Sequence, residues 1–238
     1  MSRTSSPTST SPKRSWRPSE RSLARAGPRN RPDSRCTAER IRLPAGRSLL
    51  GADGNPRLRE QMFDSCVLGI DPGVANVGLA IVARADRKIS LVWASTVRTP
   101  SDLAGPSRLR RLADEVDAAI GSYAPDAVAI ERLAWNRNQV SALQVARATG
   151  AIMVVADRAG LAVEEYGPNE VKIAITGAGN ADKHQVRDAL VRIHGLRDCP
   201  VQADAVDAVA IALTHLMGSR MRAAARTQIP IRTRSVSR

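Results

Sequence analysis

The chain has 238 residues, 43% of them hydrophobic, enough for one well-buried domain with flanking segments. Its net charge of +13 is uneven: residues 1–60 carry +9, residues 219–238 carry +6, and residues 61–218 carry −2. The basic balance therefore belongs to the ends, and a high pI alone does not make the folded part a nucleic-acid binder.

Three cysteines, Cys36, Cys66 and Cys199, are odd in number and lack disulfide or zinc spacing. That excludes a disulfide scaffold and implies a reducing, cytoplasmic compartment in which the thiols are bystanders. No uninterrupted apolar run approaches the ~20 residues that cross a bilayer, so no membrane partner is expected.

Residues 1–61 are rich in Ser, Pro and Arg and show no period of 2 or 3.6. They bury too little apolar surface to offset ordering entropy and are expected to be a disordered basic extension. Pro7, Pro12, Pro18, Pro28 and Pro32 break the amphipathic helix that an organelle-targeting segment needs. Met62, just ahead of the first apolar run, is the expected true start; a DNA-holding basic arm is the alternative. Residues 62–218 form the expected folded domain, and 219–238 a solvated basic tail.

Within that domain, Cys66–Asp71 is a short apolar strand ending in a carboxylate, with Pro72 and Gly73 turning the chain. Val77–Ala85 and Ile89–Val97 continue it as an antiparallel meander. Ser107–Ile120 switches to a helical period, with Leu109, Leu112, Val116 and Ile120 on one face. Asp126–Glu131 is a fourth strand, again ending in a carboxylate. Gln139–Ala159 reads as an Ala-rich helix and Leu161–Tyr166 as a fifth strand. Pro168–Ile175 and Lys183–Ile193 are helices around a glycine-containing loop, Thr176–Asp182, and Ala203–Met217 is a last, apolar helix. This order predicts an α/β domain with a five-stranded mixed sheet flanked by helices.

Asp204 and Asp207 stand three apart, so they share one helix face, with Ala203, Ala205 and Ala208 leaving room for close approach. Asp71 and Glu131 terminate strands, the edge where α/β folds bind ligands. Taken singly, each has an ordinary explanation: acids suit a first helical turn, Asp-Pro-Gly suits a turn, and a Glu after a buried strand is often its first solvated residue. Converging on one edge, the four supply hard oxygen ligands for Mg²⁺ or Mn²⁺. Two such ions, ~3.5–4 Å apart, suit phosphodiester hydrolysis. Lys172 and Lys183 flank the glycine-containing loop and could meet transition-state charge. His184 and His194 lack zinc spacing and read as surface or capping residues.

GIDPG (69–73) with Gly78, AIE (129–131), NEVK (169–172), TGAGNADKHQV (176–186) and QADAVDAVAIALTH (202–215) together resemble the RuvC crossover-junction endodeoxyribonucleases over roughly residues 65–217. The resemblance implies a ribonuclease-H-like fold and a homodimer acting on four-way (Holliday) junction DNA. It implies paired nicks that leave 5′-phosphate and 3′-hydroxyl, in recombination and repair. It assigns Asp71, Glu131, Asp204 and Asp207 as metal-binding catalytic carboxylates, with two ions per site, and Lys172 and Lys183 as assisting cations. A junction-migration motor is an implied partner. The family commonly carries an aromatic three residues after the glutamate, where this chain has Ala134 followed by Trp135. Trp135, a base-stacking or a buried residue, and Arg137 are the expected additional DNA contacts. In such a dimer Arg132, Arg137, Arg147, Lys172, Lys183 and Arg187 could line one basic face.

Three rival readings remain at this point. GIDPGVANVG also resembles the first phosphate-binding hairpin of actin-like ATPases and sugar kinases, which need two such lobes. A related ribonuclease-H-like nuclease could act on another branched or hybrid substrate with the same acids. A non-catalytic junction-binding protein is the third.

Overall fold

The computed structural model describes residues 63–73, 75–100, 102–133 and 139–227. The expected basic extension 1–61 with Cys36, the Met62 start, Ala134, Trp135 and Arg137, and the end of the tail lie outside them. A five-stranded sheet forms the centre, in the order β3-β2-β1-β4-β5. Strand β1 (Ser65–Pro72) pairs antiparallel with β2 (Asn76–Ala85) and parallel with β4 (Ala127–Glu131). Strands β3 (Lys88–Arg98) and β5 (Ala162–Tyr166) form the edges, antiparallel to β2 and parallel to β4 respectively. Asp86, at φ 55°, makes the β2–β3 turn in the left-handed region that Asp tolerates better than most residues.

The unbroken apolar character of β1 follows from its place in the middle, where both faces are covered. On one face Leu68, Ile70, Leu79 and Ile81 meet helices α1 (Gly105–Tyr123) and α2 (Gln139–Arg158) through Leu112, Val116, Ile152 and Ala156. On the other, Val67, Ala80 and Val82 meet α3 (Pro168–Thr176), α4 (Lys183–Arg192) and α5 (Ala203–Thr227) through Val171, Leu190, Val209 and Leu213. The order of elements is the expected one. Among the described residues there is one such sheet, with one hairpin of the Asp-Pro-Gly kind, not the paired lobes an actin-like ATPase requires.

Two expectations are corrected. The last helix does not stop at Met217 but runs to Thr227, into the segment read as tail. Ser219–Thr227 is made of Ser, Arg, Met, Ala and Thr, with no Gly or Pro to end a helix, and its arginines suit a helix C-terminus. Helix α2 also contains a stretch, Val140–Arg158, with mean hydropathy 1.3, long and apolar enough by length and composition to span a bilayer. Ser141, Gln144, Arg147 and Thr149 break it into short apolar runs, the longest being Ala151–Ala156. Ala148, Ile152, Val155 and Ala156 seat it on the sheet as a core helix.

Helix α5 lies closer to the sheet than side chains ordinarily permit. A Cβ at Gly69 would collide with the carbonyl of Ala208 and come within 2.8 Å of the Ala212 Cβ; one at Gly78 would collide with the carbonyl of Asp204. Adding a methyl to a strand glycine ordinarily gains ~0.5–1 kcal/mol of backbone entropy, but a backbone carbonyl has nowhere to go. Gly78→Ala is therefore expected to destabilise the protein by at least ~1–3 kcal/mol in a urea titration, the scale of core overpacking.

Candidate active site

Asp71 and Glu131 are neighbours because β1 and β4 are parallel and in register, Ile70 lying opposite Ile130, so both strands deliver their last acidic residue to the same edge. Helix α5 crosses that edge over Gly78, the pairing partner of Asp71 on β2, and so carries Asp207 to the same place. Asp71, Glu131, Asp207, Lys172 and Lys183 line one cavity of about 350 Å³, floored by Val171, Val186, Ala210 and Ile211. Asp204, one turn earlier on α5, lies outside that lining, yet its charge acts on both Asp71 and Lys183. The structure thus gathers three of the four predicted carboxylates and both predicted lysines round one cavity, with the fourth carboxylate at its margin.

The two lysines are placed by helix punctuation. Gly167 and Pro168 start α3, and Gly177, at φ 77°, stops it, leaving Lys172 in its middle. Asp182 caps α4: its carboxylate accepts from the Gln185 amide at 2.9 Å while the Gln185 side chain accepts from the Asp182 amide at 2.9 Å. Lys183 is consequently the first residue of α4, and its Nζ reaches Asp207 Oδ2 at 2.8 Å. That hydrogen bond holds the Lys183 pKa above its ordinary value.

Burial, then a hydrogen bond to Glu131, then the charges of Glu131, Asp207 and Asp204 push the Asp71 carboxyl up to about 8. Burial also raises Glu131, opposed by the hydrogen bond from Asp71 and by Lys183 and Lys172. Burial and mutual repulsion thus favour proton uptake by this pair of carboxyls. Carboxylates crowded beyond what two lysines neutralise, with oxygen as their only donor atom, fit a hard divalent cation better than any other ligand. Among the described residues no group of three or more His, Cys, Asp or Glu side chains is arranged ready-made around one point. Asp71 instead hydrogen-bonds Glu131, and Asp207 pairs with Lys183.

The remaining predicted residues are dispersed. Arg132 pairs with Glu170 at 3.7 Å on the exposed rim, Arg187 Nε donates to the Pro200 carbonyl at 3.3 Å, and Arg147 lines a different cavity from the two lysines; the expected basic face spans two subunits and includes Arg137, which lies outside the described residues. His184 is exposed, and His194 Nε2 lies 2.9 Å from the Ile175 carbonyl in the last turn of α3, the capping position anticipated for it. Cys66 and Cys199 are buried, and burial pushes the Cys199 thiol up to about 11, which keeps it unreactive. Sequence reasoning missed one polar pair: the Tyr166 hydroxyl lies 3.0 Å from His215 Nδ1, tying the strand residue paired with Glu131 to the helix of Asp207. Its signal was present, since His215 stands eight residues after Asp207 on the same helix.

A family model described as crossover junction endodeoxyribonuclease RuvC matches residues 67–215, which include every predicted carboxylate and lysine. The RuvC of Syntrophomonas wolfei is 39% identical over 155 residues, covering 65% of this chain and 90% of that protein. The RuvC of Rubrobacter xylanophilus is 42% identical over 158 residues, covering 66% and 88%. Among solved structures, Thermus thermophilus RuvC in complex with a Holliday junction substrate superposes with a TM-score of 0.62 at 36% identity, over 66% of this chain and 96% of that one. The mixed sheet with helices on both faces is accordingly the ribonuclease-H-like fold, and the chain belongs to the RuvC crossover junction endodeoxyribonuclease family.

Proposed function

We propose that this chain is a cytoplasmic, divalent-metal-dependent endonuclease that resolves four-way DNA junctions by paired nicks in recombination and repair. Residues 62–218 form its nuclease domain. The observation that carries the reading is the cavity at the ends of β1 and β4, where Asp71, Glu131 and Asp207 face Lys172 and Lys183 within the segment that matches the family. Asp71, Glu131, Asp204 and Asp207 hold the metal, Mg²⁺ or Mn²⁺, as two ions. When bound, the ions supply an activated water and neutralise charge on the leaving oxygen of an in-line displacement. Lys183, displaced from Asp207, and Lys172 on α3 orient the scissile phosphate and balance its charge. Val171, Val186 and Ile211 give the cavity an apolar part beside the charged groups. Trp135 and Arg137 follow Glu131 in the chain and are assigned to the junction from sequence.

Asp71→Asn keeps shape and hydrogen bonding but removes the anionic ligand. With Mg²⁺ and a synthetic four-way junction, beside linear duplex and RNA–DNA hybrid controls, the unsubstituted protein should nick the junction preferentially. The variant should lose at least ~100-fold in nicking rate, more than a metal's outer-shell partners are worth, while its junction affinity persists. Preferred cleavage of a control would move the assignment to a nuclease of another substrate, and unaltered nicking by the variant would remove Asp71 from the metal site.

A homodimer is part of this reading, and helix α2 supports it. Its outward side leaves Val140 69%, Leu143 54% and Val154 51% exposed, at a spacing that puts them on one face. Beside them an open groove between α1 and α2 is lined by Leu109, Ala113, Ala151 and Val155 together with Arg110, Arg147 and Arg158, so the apolar contact surface is the helix face and not the groove. An exposed apolar helix face suits a two-fold, self-complementary contact. Sedimentation equilibrium should give twice the chain mass, falling to the single-chain mass for Leu143→Glu combined with Val154→Glu; a monomeric unsubstituted protein would contradict the assignment.

A further inference from the structure

We infer that a second groove, on the α1/α2 side of the same sheet end, holds the sugar-phosphate backbone of DNA beyond the catalytic cavity, through Arg98, Arg108 and Arg147. The inference rests on the reading of the chain as a DNA nuclease and extends it to residues that no motif of the chain singles out.

Two adjoining cavities, of about 310 Å³ and 480 Å³, share Thr99, Arg108 and Gln144 in their walls and together form a trough. The trough begins at Gly73, two residues past Asp71 on the chain, and runs by Asn76 to Arg98 at the end of β3 and to Arg147 on α2. Its position is thus tied to the catalytic edge through the β1–β2 connection. Among the described residues neither lining contains an Asp or Glu, although residues 61–218 as a whole carry a net charge of −2. Concentrating cations without acids in one concavity of an otherwise slightly acidic domain produces a local positive field there.

The arginines are also disposed to be used. Arg98 and Arg147 are exposed and make no ion pair among the described residues. Arg108 is partly buried and its Nη2 donates to Thr99 Oγ1 at 3.2 Å, which anchors the middle of the trough. Asn76 and Gln144 add neutral donors and acceptors along the walls. Arginine is the residue type that meets phosphate with a planar fork, and several in line match a chain of phosphates rather than one small anion, for which either cavity alone suffices. Lys172 and Lys183 serve the phosphate being cut; the trough serves phosphates that are not.

The test is the salt dependence of junction binding in EDTA, where no strand is cut. Each phosphate contact contributes about 0.9 to the log-log slope, so Arg98→Gln with Arg147→Gln should lower it by roughly 1 to 2 and weaken binding at every salt concentration. Arg98→Lys with Arg147→Lys should restore most of the slope. Arg192→Gln with Arg197→Gln, which removes the same charge from exposed positions around the end of α4, should leave it unchanged. A double-Gln variant whose slope equals that of the unsubstituted protein, or a control pair that lowers the slope equally, overturns the inference. Inorganic phosphate that competes at millimolar concentration through the same arginines would show a small-anion pocket instead and overturn it too. If the unsubstituted protein binds junction no better than linear duplex, the junction reading fails, and the same slope difference measured on duplex decides the trough.

Discussion

The near-contact of helix α5 with strands β1 and β2 is the constraint on which the site depends. Two glycines, Gly69 and Gly78, remove the side chains that would hold the helix off, and Ala205, Ala208 and Ala212 do the same from the helix side. An ordinary Leu or Val at any of these places would widen the gap and carry Asp207 away from Asp71. Small residues are usually poor stabilisers of strands and contribute little to a core, so their concentration here trades cohesion for proximity. Larger residues next to them, Val209, Leu213 and Leu216, supply the burial that holds the helix down.

That proximity sets the electrostatics. Like charges brought together in a partly buried cavity must take up protons, find lysines or bind a cation. Burial and the neighbouring carboxylates push the Asp71 carboxyl up to about 8, and Lys183 pairs with Asp207. The two sheet faces are thus distinct: α3, α4 and α5 build the cavity of carboxylates and lysines, whereas α1 and α2 carry the arginine-lined trough and the apolar outer face.

Much of this could be read from residues alone, and the reason differs by element. The strands were legible because apolar runs ended at Asp-Pro-Gly and at Glu131, and the helices because their periods and caps were clear, Asp182 with Gln185 above all. The four acids were legible only as a set, since each alone had an ordinary explanation. What sequence did not convey was distance. That Asp204 stands at the margin while Asp207 lines the cavity, that Arg132 and Arg187 are occupied elsewhere, and that Arg98 joins Arg108 and Arg147 are consequences of packing angles, which no spacing encodes. The length of α5 was misjudged for a local reason: a basic, polar segment of good helix formers looks like a tail until a preceding helix nucleates it.

The central claim, that helix α5 crowds acids into a site whose natural counter-charge is a divalent ion, has a direct measure in protons. At pH 7 Asp71, pushed up to about 8, is mostly protonated, and only its anion can ligate, so Mn²⁺ binding should release about one proton per site and tighten as pH rises towards 8. Calorimetry of Mn²⁺ binding in two buffers of different ionisation enthalpy reads that release. The account predicts proton release from the unsubstituted protein and none from Asp71→Asn; Mn²⁺ binding that releases no proton, or the same number from both, would contradict it.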